Sequence, residues 1–176
     1  MHAPQRTRRV DAELYVDVLQ FYARQMPLLE ERRLEEFLET MTEDGSIEHV
    51  PNGWRIEGRS ALLTEMRARR GDPEKPLVGE VSARAARAQD VAYYDGIVYR
   101  YWFDRMRIEP QPHSDDLLKV SYQAMVSMTD ASGKVSFEPT TTVEDVLVRQ
   151  DGEWFTRSRR VTHDSPHWAD KIHNPS

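Results

Sequence analysis

The sequence predicts an α+β domain in which three N-terminal helices pack against a cone-shaped, strongly curved antiparallel sheet and enclose an apolar pocket. Two observations carry this. Residues 11–70 repeat apolar side chains at helical spacing, interrupted by one short alternating stretch. From about residue 79 onward the pattern changes to strands separated by tight turns, and hairpins that short force antiparallel neighbours. Helices gathered on one face of such a sheet are the α+β arrangement, and a bent sheet closed by helices is a common place for a small ligand.

Taken in order, Asp11 caps the first helix, with Glu13 in its first turn where the helix dipole favours an anion. Leu14, Val18 and Phe21 form one face, overlapped by Tyr15, Val18, Tyr22 and Met26, and Pro27 bends or breaks the run. A second helix places Leu34, Phe37, Leu38 and Met41 on one side, and TEDG (42–45) ends it. A short strand, 46–50, turns at Pro51, Asn52 and Gly53 into a returning strand, 54–57. Ser60 caps a third helix carrying Leu62, Leu63 and Met66, with Arg67, Arg69 and Arg70 near its end.

GDPEKP (71–76) is a loop, after which strands are expected at about 79–90, 91–109, 117–129, 135–149 and 154–163. Their turns are PQPHSDD (110–116), DASGK (130–134) and QDGE (150–153). SARAARA (82–88) has helical propensity but is placed in the sheet by the order of elements. The whole chain, 1–176, reads as a single domain with 1–10 and 165–176 as tails.

Composition narrows the function. Lys and Arg number 24 against 30 Asp and Glu, a net charge of −6, which argues against holding nucleic acid or an anionic membrane by bulk charge. There is no cysteine, so disulfides, zinc–thiolate sites, iron–sulfur clusters and cysteine nucleophiles are excluded. No apolar run approaches the roughly 18 residues of a membrane span, and the N-terminus lacks the apolar segment of a secretory signal. A soluble, cytoplasmic protein is expected.

Two positions stand out chemically. His49 shares a strand face with Ile47 and faces the pocket if Ile47 does; there it would be the ordinary general base near neutral pH, whereas a histidine bonded to the turn or at the surface would be structural. In TTTVEDVLV (140–148), Glu144 shares a face with Thr142 and Val146, while Asp145 shares the other with Val143 and Leu147. Both faces are apolar, so one acid of the pair is half-buried. Burial raises a carboxyl's pKa and suits it to proton donation, whereas pairing with Arg157, Arg159 or Arg160 would make it structural. Glu144 is the acid preferred for chemistry.

The aromatic cluster at 93–103 builds core or walls for a planar substrate, and Tyr99 and Trp102 cannot both face inward in an unbulged strand. The closing HDSPHWADKIH (163–173) offers His163, His167 and His173 with Asp164 and Asp170. However, Pro166 starts a helix after His163, so the helical His163–His167 spacing fails and no metal site is expected. Phosphate loops, nucleophile elbows and dinucleotide fingerprints are absent from the sequence.

The segments TEDGSIEHVPNGWRIEGRSALL (42–63) and TTVEDVLVRQDGEWFTRSRRVTHD (141–164) resemble the nuclear transport factor two-like superfamily and, within it, the SnoaL-like polyketide cyclases. The first is similar to the family's acidic turn, short strand, Pro/Gly turn and Gly-Arg entry into a helix. The second is similar to its closing hairpin. That superfamily includes cyclases, dehydratases, ketosteroid isomerases, epoxide hydrolases, small subunits of ring-hydroxylating dioxygenases and non-catalytic proteins.

The resemblance implies that His49 stands where isomerases carry a carboxylate base. It also implies that Glu144 matches the oxyanion-side acid, and that Tyr22 matches the isomerase tyrosine if 27–33 is an insertion. The expectation is a cofactor-independent cyclase, dehydratase or isomerase of natural-product biosynthesis. His49 and Glu144 would be catalytic, and Tyr22, Trp54, Tyr99, Trp102 and Arg160 would hold a small apolar or aromatic substrate. A dioxygenase small subunit and a plain small-molecule binder are the alternatives. The resemblance further implies a homodimer through the sheet's outer face, to which Val143, Leu147, Ile97 and Phe103 are assigned.

Overall fold

The computed structural model describes residues 10–50, 54–70, 98–112, 114–130 and 132–165, with the side chains of Trp54 and of 68–70 left aside. The expected strand at 79–90, the beginning of the one at 91–109, the two proline-containing turns at 51–53 and 71–76, and the outer parts of both tails fall outside these residues.

Helix α1 (Ala12–Glu30) begins as expected, the Asp11 carboxylate accepting the Leu14 N–H at 2.8 Å. It does not break at Pro27, which lies inside its last turn and costs the helix one N–H donor. The helix ends a few residues later. Arg32 takes a left-handed φ of 59°, with Arg33 N–H bonded to Leu28 O and Arg32 N–H to Leu29 O, closing the last carbonyls.

Helix α2 (Leu34–Glu39) is shorter than its periodicity suggested. Met41 and TEDG belong to strand β1 (Met41–Val50), whose register against its neighbour is irregular between Met41 and Ser46. Strand β2 (Trp54–Glu57) returns, and helix α3 (Arg59–Arg70) follows. Its entry is set by Gly58 at φ 86°, whose N–H meets Gly45 O.

The remaining strands are β3 (Val98–Pro110), β4 (Leu117–Thr129), β5 (Val135–Phe137), β6 (Thr141–Gln150) and β7 (Glu153–His163). The single strand expected at 135–149 is split around Pro139, whose ring has no N–H to give a ladder. Asp151 and Gly152, both at positive φ, close the β6–β7 hairpin in the twist that a two-residue loop favours.

Strand order is β2-β1-β7-β6-β4-β3, with β5 beside β4. Among the described residues all pairs are antiparallel except β1 with β7, which is parallel, so the sheet is mixed rather than antiparallel throughout. The last described strand, β7, lies beside the first, β1, and runs in the same direction.

The helices cover one face. Val18, Phe21, Tyr22, Met26, Leu29, Phe37 and Leu38 pack there on Ile47, Ile108, Leu118, Val120, Tyr122, Val143 and Leu147. Val143 and Leu147 are therefore core, not the outer-face residues they were expected to be, because the odd positions of β6 point at the helices. Among the described residues no helix is long and apolar enough to cross a membrane.

Candidate functional site

The cross-strand register orders the helix-covered face into rows. The deepest contains Ile47, Arg159, Asp145 and Val120, adjacent on β1, β7, β6 and β4. Two residues along each strand comes His49, Val161, Val143 and Tyr122. A further step brings His163, Thr141, Ala124 and Phe103, on β7, β6, β4 and β3. Burial falls along this direction: the first row is buried, and every residue of the third is half-buried.

In the deep row Asp145 is the acceptor at the centre of a network. Arg159 Nε lies 2.9 Å from Asp145 Oδ1, and Arg159 Nη2 lies 2.7 Å from Oδ2. The Tyr22 hydroxyl donates to Oδ2 at 2.9 Å, and that of Tyr122 reaches the same oxygen at 3.5 Å. Arg159 also donates to Gln25 Oε1 at 2.6 Å, while Gln25 Nε2 donates to the hydroxyls of Thr40 and Thr156. Burial, reinforced by the neighbouring Asp145 charge, pushes the Tyr22 hydroxyl well above its ordinary pKa, and burial does the same to Tyr122. Both tyrosines are neutral donors already committed to Asp145. This arrangement ties α1 to the sheet and leaves the carboxylate little capacity for a substrate.

Where the face opens, His49 and His163 meet. Nδ1 of His49 is 3.0 Å from Nε2 of His163, and the rings lie end to end, with centroids 5.3 Å apart and planes 15° from parallel. The parallel β1–β7 pairing causes this: His49 is in register with Val161, two residues before His163. Half-burial lowers the His163 pKa from 6.5 to about 4, against a smaller upward pull from the Asp164 charge. His163 is thus neutral near pH 7. A short contact between two imidazole nitrogens requires one ring to donate and the other to accept, and heavy-atom positions allow either assignment.

The expected site residues separate into groups. Ile47 and His49 do share the helix-covered face. Glu144 does not: it is exposed on the opposite face, so it shares no cavity with His49, and the buried acid of the pair is Asp145, held by Arg159. Arg160 is exposed beside Glu144 on that outer face, 3.9 Å from Glu48. Trp102 is also outside and 57% exposed, its indole N–H fixed on Ser127 Oγ at 2.8 Å.

Trp102 borders a shallow outer-face cavity of about 280 Å³ with Met125, Gln123 and Thr140. Tyr99 is half-buried three residues from Trp102 in unbulged strand, hence on the other face. Tyr22 is wholly buried in the Asp145 network. Trp54 is the register partner of His49.

Sequence reasoning considered His163 only as a metal ligand and missed it as the partner of His49. Continuing the odd positions of the last strand, Arg159, Val161, His163, beside Ile47 and His49 would have found it. Among the described residues no group of three or more histidine, aspartate or glutamate side chains is arranged to hold a metal ion. His167, Asp170 and His173 lie outside the described residues.

Comparison with known proteins places this geometry in context. The family model for a SnoaL-like domain matches residues 10–160. The chain is similar to Aln2 from a Streptomyces species, at 32% identity over 89% of this chain and 95% of that one, with a TM-score of 0.69. A structure from Catenulispora acidiphila in complex with S-DNPA is 29% identical, covering 88% and 96% of the two chains with a TM-score of 0.65. An NTF2-like protein with a cystatin-like fold from Novosphingobium aromaticivorans, 15% identical over 92% and 89% with a TM-score of 0.62, shows the shared fold. No curated protein gives a significant match.

Proposed function

Because this chain belongs to the SnoaL-like domain family, we propose that it is a cofactor-independent enzyme that moves a proton on a small, largely apolar natural-product intermediate, with His49 and His163 as the proton-carrying pair. Isomerisation, dehydration and ring closure all draw on that capacity. The observation that carries the reading is the 3.0 Å contact between the two imidazoles at the open end of the helix-covered face.

The chemistry follows from the two rings. In one arrangement His49 donates from Nδ1 to Nε2 of His163, so Nε2 of His49 is a base and Nδ1 of His163 carries a proton. Accepting a substrate proton at His49, passing the shared proton across, and releasing one from His163 produces the mirror arrangement. One pair is then both base and acid, and a single exchange resets it. A neutral His163 at pH 7 suits this, because a permanently charged neighbour would oppose protonation of His49. The half-buried Val161 beside the pair gives an enolisable ligand an apolar surface to lie against, screened from water.

The S-DNPA complex of the Catenulispora neighbour supports a small-molecule ligand for this fold. The test is α-proton exchange of a probe ketone, 2-tetralone, in D2O, followed by NMR. The protein should accelerate exchange over buffer, and His49→Gln should lower the acceleration by roughly 10²–10⁴-fold. Saturable binding of the probe without any acceleration would favour a non-catalytic binding protein instead.

A further inference from the structure

We infer that Ala124 and Thr141 are the specificity-determining residues of this site, and that the short floor they form admits a flat ligand reaching from the histidine pair to Phe103. The inference deepens the proton-transfer reading and rests on it for the ligand's orientation.

The row His163, Thr141, Ala124, Phe103 lies across four adjacent strands on the helix-covered face. Three inter-strand steps put its ends about 14 Å apart, backbone to backbone. The two ring-bearing ends stand over a centre made of the smallest side chains in the row. Thr141 turns its hydroxyl onto the carbonyl of Ala124 at 3.4 Å, which satisfies the polar atom against the sheet and presents the methyl group. The floor is therefore apolar.

The neighbouring row is bulkier, with Val161, Val143 and the Tyr122 ring, and the latter packs on Phe103 with centroids 5.6 Å apart. All four residues of the trough row are half-buried, unlike the sealed Asp145 row four residues further along the strands. A trough with a proton-transferring group at one end, an aromatic wall at the other and on the order of 10 Å between them selects by length. A ligand must be long enough to touch the phenyl ring and thin enough to lie on alanine.

Filling the floor should therefore discriminate between ligands that differ only in length. The probes are 2-acetylnaphthalene and 2-acetylanthracene, titrated into the full chain and followed by fluorescence or calorimetry. For Ala124→Leu we expect the three-ring probe to lose affinity about tenfold or more while the two-ring probe stays within about threefold, because added methylenes in a fitted site are excluded rather than absorbed. Ala124→Val adds less bulk at the same position, two strands from His163, and should give the same ordering. It carries the test if Ala124→Leu does not fold, as judged by circular dichroism and melting temperature.

Equal losses for both probes, no loss for either, or failure of the unaltered protein to bind them overturns the inference. The readout is binding. A protein that exchanges the tetralone proton but ignores ligand length overturns only this inference, and one that selects by length without exchange overturns only the proton-transfer reading.

Discussion

Asp145 and Arg159 face each other across adjacent strands and are joined through both carboxylate oxygens, with the aspartate 1% and the arginine 7% exposed. A buried pair of this kind adds little over an apolar pair of the same shape, but breaking it strands a charge in the core. Asp145→Asn should therefore destabilise the fold by about 3–5 kcal/mol. Tyr22→Phe keeps the ring and removes one donor, and should cost about 1–3 kcal/mol. Glu144→Gln, one residue away on the exposed face, should change stability by about 0.5 kcal/mol or less. Urea unfolding of the three variants checks the ordering, and a Glu144→Gln effect as large as that of Asp145→Asn would contradict the face assignment.

His163 gives stability a pH dependence of known sign. His163 titrates at about 4 in the fold and near 6.5 when unfolded. Between those values the unfolded chain binds the extra proton, so stability is fully expressed above about 6.5 and is lost as pH falls toward about 4. The melting temperature should drop across that window, and His163→Gln should flatten the part of the drop that belongs to this residue. Thermal scans of the two proteins at matched ionic strength decide it. A melting curve for His163→Gln that keeps the full slope would assign the dependence elsewhere.

Assembly can be read from the outer face. Trp102, Val135 and Phe137 are 57%, 50% and 61% exposed, and they lie with Met125 on neighbouring strands away from the helices. We expect a homodimer that covers this patch, in place of one through Val143 and Leu147. Sedimentation at micromolar concentration should give a dimer, and Trp102→Glu with Phe137→Glu should shift it to monomer with the histidine contact intact. A monomeric unaltered protein would refute this.

Much of the fold was legible in the sequence because it is written in local signals. The Asp11 cap, the periodicity of Leu34, Phe37 and Leu38, and the Asp151–Gly152 turn each state their structure within a few residues. The parallel β1–β7 pair was not, since it joins segments more than a hundred residues apart and leaves no local trace. The inward acid was misassigned for a different reason. With Val143 and Leu147 on one side of β6 and Val146 and Val148 on the other, apolarity does not say which face the helices cover. His163 was hidden by its surroundings, a histidine- and aspartate-rich ending that invites a metal reading, while its actual partner stands 114 residues earlier. Register carries that information, and register comes from the fold.

The most direct test of the histidine pair compares α-proton exchange of 2-tetralone in D2O for the unaltered protein, His49→Gln, His163→Gln and the double variant. Two residues that act as one unit give non-additive losses. Each single variant should fall by roughly 10²–10⁴-fold, and the double variant should fall little further. A His163→Gln protein that retains the rate of the unaltered one, or losses that multiply in the double variant, would contradict a shared relay.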